Sequence, residues 1–150
     1  MRATFAAVGA CLLLAGCGGD EGGAEDEFLA QANAICANYG PKIAAIPPPL
    51  EDDDEWAAIA ADMGDLLEAS VNELRELEPP EDTVETYGEW LSLRAEILTA
   101  MRGVQNAANV HDGPGIERGL ATVEEKQVAA DQLAGKLGLT DCSPTGVPVT

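Results

Sequence analysis

The chain has 150 residues, with 27 acidic side chains against 8 lysines and arginines, and its formal net charge is −19. Nucleic acid is not expected as a partner, because phosphate contacts require clustered lysine and arginine and this sequence has no such cluster. The same negative charge disfavours direct adsorption onto anionic lipid headgroups. A chain of this length is long enough to bury a hydrophobic core.

Residues 1–16 have the layout of a secretory signal. Met1 and Arg2 supply a positive start, and the run Ala3–Ala15 has no charged residue and one polar residue, Thr4. An apolar run this short is typical of a signal peptide rather than of a spanning helix. Small residues end the run, as a cleavage site requires, and a cysteine follows them at once.

The stretch Leu14-Ala15-Gly16-Cys17 resembles the lipobox of bacterial lipoproteins. The resemblance implies that the Cys17 thiol takes up a diacylglycerol and that cleavage falls between Gly16 and Cys17. Two acyl chains anchor stably, since each buried methylene contributes about 0.8 kcal/mol. We therefore expect a lipid-anchored protein on the extracytoplasmic face of the cell membrane. The alternative is an ordinary signal peptide that carries a cysteine and is cleaved elsewhere.

The four cysteines have different predicted fates. Cys11 leaves with the signal peptide and Cys17 takes the lipid, so Cys36 and Cys142 remain in an oxidising compartment. An even pair there favours a disulfide. Closing a loop of this length, about 106 residues, would contribute about 4 to 5 kcal/mol to stability. Two free thiols or a redox pair form the alternative, although no Cys-x-x-Cys motif supports redox chemistry.

Three segments follow the signal peptide. Residues 17–26 combine the lipidated cysteine with a Gly-rich acidic stretch, which we expect to be a flexible tether because it has nothing to bury. Residues 27–142 form the predicted helical domain. Residues 143–150, with two prolines and a glycine, are predicted to be a loose C-terminal tail.

Apolar periodicity predicts two helices in the first half of the domain. The first runs from Glu27 to about Tyr39, where Gly40-Pro41 ends or kinks it. The acidic run Glu51–Glu55 follows three prolines and is expected to cap the second helix, although a weak cation site there stays open. The second helix then extends to about Glu78.

Two more helices are predicted in the second half. The third opens near Glu81 and fades near Asn109, and the turn His111–Gly115 follows it. The fourth spans Ile116–Leu137, with Gly138 as its C-terminal cap. No segment alternates as a strand does. The sequence therefore predicts an all-α fold, an antiparallel up-and-down bundle of about four helices stapled by one disulfide.

Catalytic and metal-binding patterns are sparse. His111 is the one histidine and lies in a Gly-Pro turn, so a surface loop residue is the expected role. No nucleophile elbow, phosphate loop or Glu-x-x-His pair occurs. One catalytic arrangement stays open, a pair of carboxylates, because a chain with 27 acids always brings some of them together. We therefore expect a protein that is not an enzyme and needs neither a metal nor another cofactor.

Arg94 interrupts the apolar stripe of the third helix. The predicted stripe consists of Val84, Tyr87, Leu91, Arg94, Leu98, Met101 and Gln105, broadened by Trp90, Ile97 and Val104. In one interpretation the arginine stem packs and its head reaches an acid at the surface. In the other, Arg94 recognises an anion in a cleft of the bundle. Trp56, Tyr87 and Trp90 are expected to pack in the core or at a bundle end.

Several stretches resemble a group of small exported proteins of actinobacteria. They are Phe28–Cys36, then Leu77–Glu81, Trp90-Leu91 and the closing Cys142. The group consists of lipoproteins or membrane-tethered domains with a helical domain and two cysteines. The resemblance covers most of residues 27–142.

The resemblance implies a helical bundle with a Cys36–Cys142 bridge, and it implies no activity. Two hypotheses about function follow from the sequence. In the first, the anchored bundle binds an envelope protein or has a structural role in the envelope. In the second, it is a lipoprotein that holds a small apolar or anionic molecule between its helices. A core without a cavity of ligand size would contradict the second.

Overall fold

The computed structural model describes residues 21–48 and 53–143. Four helices follow one another: α1 (Glu21–Ala44), α2 (Asp53–Arg75), α3 (Val84–Asn109) and α4 (Gly113–Leu137), and a short 3-10 turn, Thr140–Cys142, ends them. No strand occurs among the described residues. The predicted all-α bundle of four helices is confirmed. The signal peptide, Gly16, Cys17 and residues 144–150 lie outside the described residues, as do 49–52.

Helix α3 is the centre of the bundle, because it packs against both α2 and α4. Its buried side chains are Tyr87, Trp90, Arg94, Ile97, Met101, Val104 and Ala108, at alternating steps of three and four. The predicted stripe is rotated from this set: Leu91 and Leu98 are half-buried, and Val84 is 51% exposed. Both sets of residues fit helical periodicity. Because α3 packs between α2 and α4, the set that contains Trp90 is the one that is buried.

Close approach of α3 and α4 depends on a glycine. A Cβ atom built on Gly119 would lie 2.5 Å from Cγ2 of Val104, which is fully buried, and 3.5 Å from the Ala100 carbonyl oxygen. A side chain at position 119 would therefore force the two helices apart.

Helix α1 is longer at both ends than the sequence predicts. It begins at Glu21, inside the segment predicted to be a flexible tether, and continues through Pro41 to Ala44. Residues 23–26 of this extension are exposed. The tether prediction is therefore wrong for residues 21–26, and residues 17–20 lie outside the described residues.

The last turn of α1 forms even though Pro41 cannot donate a backbone hydrogen bond. Ala45 N donates to the Pro41 carbonyl at 3.0 Å, and Lys42 Nζ donates to Asn38 Oδ1 at 2.9 Å. Ile43 packs against the core. These contacts offset the lost hydrogen bond, so the helix does not end at Gly40-Pro41, which was one of the two outcomes that the sequence left open.

The other helix ends follow local chemistry. Helix α2 ends at Arg75, before the predicted Glu78, because the Glu76 and Leu77 amides bond to carbonyls three residues back and tighten the turn. Helix α4 begins three residues early, since the Asp112 side chain caps it by accepting from Gly115 N. Gly138 has a φ of 75° and closes α4, which confirms the predicted cap.

A disulfide joins Cys36 and Cys142, with 4.9 Å between their Cα atoms and a sequence separation of 106. The predicted bridge is confirmed. It ties α1 to the 3-10 turn, and the Asn33 side chain reinforces this connection by donating to the Gly138 carbonyl and accepting from Asp141 N at 3.0 Å. The first helix and the end of the domain are thus held together covalently and by hydrogen bonds.

None of the helices in the described part of the chain has the length and apolar character needed to cross a membrane.

Candidate ligand-binding site

A cavity of about 240 Å³ lies between the helices, beside the disulfide. Six large apolar side chains line it: Ile43, Met63, Leu67, Ile97, Met101 and Val123. They come from all four helices. The polar groups on its wall are Tyr39, Ser70, Arg94, Gln127 and Asp141. The core is therefore not collapsed at this place, and the condition that would have contradicted a ligand-binding hypothesis is not met.

Part of the α1 wall of the cavity comes from the helix beyond Pro41. Ile43 and Ala44 line the cavity because α1 continues past Pro41, and they join Cys36, Tyr39 and Gly40 from the preceding turns.

Arg94 is the charged side chain that the sequence singled out, and it lies on the cavity wall. It is only 8% exposed, and its Nε is buried without a hydrogen-bond partner. No ion pair joins it to a carboxylate among the described residues. The interpretation in which the guanidinium reaches an acid at the surface does not describe this geometry.

Two neighbours compensate the buried charge in part. The Arg94 guanidinium carbon lies 5.8 Å from the centre of the Trp90 ring, within the range of a cation–π interaction. Burial lowers the pKa of Arg94 below its usual value, and the negative charge of Asp131 opposes that shift. Asp131 Oδ1 is itself engaged, because it accepts a hydrogen bond from Gln127 Nε2 at 2.8 Å.

This arrangement can bind an anion. A buried polar group without a partner costs roughly 1–3 kcal/mol, and more when it is charged. A ligand oxygen that accepted from the guanidinium inside the cavity would recover that cost. The surrounding apolar walls would strengthen the interaction, because they lower the local dielectric constant.

Two further polar residues on the wall, Ser70 and Gln127, were not singled out from the sequence. Ser70 is 1% exposed and donates to the Leu67 carbonyl at 2.9 Å. Gln127 continues the helical spacing of Ile116, Leu120 and Val123. A polar residue at a core position, the signal that pointed to Arg94, therefore also marks Gln127, whereas no pattern marks Ser70.

The aromatic residues expected to pack in the core are not part of the cavity wall. Tyr87 stacks on Trp90 with ring centres 5.6 Å apart, and its hydroxyl donates to the Leu74 carbonyl at 2.7 Å. Burial raises the pKa of Tyr87. Trp56 packs against the core. These side chains stabilise the bundle next to the site.

His111 and the acidic run take no part in the cavity. His111 is exposed in the turn before α4, with a φ of 55°. Glu51 and Asp52 lie outside the described residues, so the cation site considered there stays a hypothesis. Within residues 21–48 and 53–143, no three His, Cys, Asp or Glu side chains come together in a way that could hold a metal ion.

Comparisons with protein families, with curated proteins and with solved structures gave no match for this chain.

Proposed function

We propose that this protein binds a small organic molecule in the cavity between its four helices. One observation supports the proposal above the others: Arg94 lies on the wall of an apolar cavity with its buried Nε unpartnered. A concave apolar site with a few converging polar groups is the usual form of a small-molecule site. The hypothesis of an envelope protein partner stays a second proposal, because no contact among the described residues bears on it.

The size of the cavity limits the ligand. A cavity of about 150 Å³ holds one benzene molecule. At the same volume per atom, the present cavity of about 240 Å³ accommodates about ten non-hydrogen atoms. Fragments of this size bind with dissociation constants in roughly the micromolar to millimolar range. A method that detects weak and specific binding is therefore needed.

Methionine methyl groups offer such a method. The chain has three methionines, and two of them, Met63 and Met101, line the cavity. We expect a probe with an eight-carbon chain, either octanoate or 1-octanol, to shift the ¹³C-methyl signals of Met63 and Met101 in a saturable manner. The mature chain contributes no other methionine methyl signal, because Met1 lies in the predicted signal peptide. Absence of a saturable shift with every such probe would contradict the proposal.

A matched pair of variants locates the binding. Ala44 lines the cavity, whereas Ala45, the next residue, is exposed and is not part of the wall. Ala44→Phe should weaken the methyl shifts by filling part of the cavity, and Ala45→Phe should leave them unchanged. Equal effects of the two substitutions would place the binding elsewhere.

We also propose that the protein is a lipoprotein anchored through Cys17. The proposal rests on the sequence Leu14-Ala15-Gly16-Cys17, which resembles a lipobox. Replacing Cys17 by alanine should abolish metabolic labelling with a fatty-acid probe, because no thiol would be left at the acceptor position. The matched control is Cys11→Ala, which should label normally. Persistent labelling of the Cys17→Ala chain would refute the assignment.

A further inference from the structure

We propose that the ligand of this cavity is a monocarboxylic acid with an apolar body, about ten non-hydrogen atoms in all, and that Arg94 holds its carboxylate. This inference rests on the proposed function, since it names the ligand class of the same site. The proposed function alone does not determine this ligand class, because a neutral apolar molecule would also fit the cavity by volume.

The charges around the cavity favour a ligand with a single negative charge. Arg94 is the one cation on the described wall, and Asp141 also lies on it. Asp131 acts on Arg94 through its charge. A dianion would exceed the one positive charge available and would be repelled by both acids and by the strongly acidic chain as a whole.

The chemistry of the guanidinium favours a carboxylate among the singly charged anions. Its planar fork of N–H donors matches the two oxygens of a carboxylate, and such pairs form two parallel hydrogen bonds. The Arg94 side chain lies on the cavity wall, and its buried Nε has no hydrogen-bond partner. A carboxylate bound to the guanidinium at this wall would neutralise the buried charge.

The walls favour an apolar body behind the carboxylate. Met63 and Met101 are flexible, polarisable side chains that adapt to the shape of a ligand. Ile97 and Leu67, together with the two methionines, offer apolar contact to such a body and no hydrogen bond. A body with further polar groups would leave those groups unpaired, which weakens binding.

Three probes of equal chain length separate the contributions of charge and of apolar burial. Octanoate carries a carboxylate, 1-octanol a neutral hydroxyl and octylamine a positive charge. Dissociation constants are measured for the full chain from the methyl shifts of Met63 and Met101. We expect octanoate to bind at least about tenfold more tightly than 1-octanol, because a charge-assisted hydrogen bond replaces an unsatisfied donor. Octylamine should bind more weakly than either.

Substitutions at position 94 test the role of the arginine. Arg94→Met should remove the preference for octanoate over 1-octanol, and Arg94→Lys should retain part of it, because the charge remains while the planar fork is lost. Arg102 is the matched control, since it lies on the same helix, pairs with Asp65 and Glu68, and does not line the cavity. Arg102→Met should leave the preference unchanged.

The outcomes distinguish the two proposals. Equal binding of octanoate and 1-octanol would overturn the carboxylate assignment while leaving the cavity as a binding site. A preference for octanoate that persists in Arg94→Met and Arg94→Lys alike would also overturn it, because another group would then hold the anion. Failure of all three probes to shift either methionine signal would overturn the proposed function as well.

Discussion

Replacing both Cys36 and Cys142 by alanine is expected to lower the free energy of unfolding by about 4 to 5 kcal/mol. The bridge closes a loop across a sequence separation of 106 residues, so the unfolded chain loses much of its conformational freedom while the bond is intact. A loss of this size is a large part of the stability of an ordinary domain, which is about 5–15 kcal/mol.

The position of the bridge adds a local effect to the global one. Among the described elements, α1 has its extensive contacts with α2 and with the 3-10 turn that carries Cys142, rather than with α3. Without the disulfide, α1 is held to the bundle by fewer contacts than α2 and α4, which both pack along α3. Because Cys36 and Cys142 both line the cavity, we expect the double variant to lose ligand binding before it unfolds completely.

Denaturant unfolding followed by tryptophan fluorescence measures the effect, since Trp56 on α2 and Trp90 on α3 both pack in or against the core. The oxidised chain, the reduced chain and the double alanine variant are compared. Reductant should destabilise the native chain and should leave the variant unchanged. A loss below about 1 kcal/mol would show that the unfolded chain is already constrained without the bridge.

Much of the fold was predictable because it depends on local signals. The periodic apolar residues, the turn His111–Gly115 and the cap at Gly138 each act within a few residues, so the sequence alone located four helices. The bridge was also predictable, because only Cys36 and Cys142 were expected to remain after export. Helix ends were less predictable where tertiary contacts decide them, as at Pro41, where the packing of Ile43 keeps the helix intact.

The candidate site was predictable only in part. A cation at a core position of α3 marked Arg94, and burial of that side chain bears out the position. Whether its head reaches an acid or remains unpartnered depends on the rotation of α3 between α2 and α4, which periodicity does not fix. The cavity itself depends on how all four helices pack against one another, and the periodicity within one helix does not determine that packing.

Replacing Arg94 by methionine is expected to stabilise the protein, by about 2 kcal/mol, because buried charges without full compensation are often better replaced by apolar groups of similar volume. The methionine would keep most of the apolar packing of the arginine stem and would leave no unpaired donor at the site of Nε. The midpoint of thermal unfolding should rise by roughly 5 to 10 °C.

Arg102→Met provides the contrast on the same helix. Arg102 has hydrogen-bonded ion pairs with Asp65 and Glu68, and its side chain is partly exposed. Surface pairs of this kind contribute at most about 1 kcal/mol, so this substitution should be neutral or slightly destabilising. Destabilisation by Arg94→Met would contradict the expectation, since it would show that Arg94 gains more from Trp90 and Asp131 than its burial costs. A stabilised variant that no longer prefers octanoate would instead show that the arginine serves binding at the expense of stability.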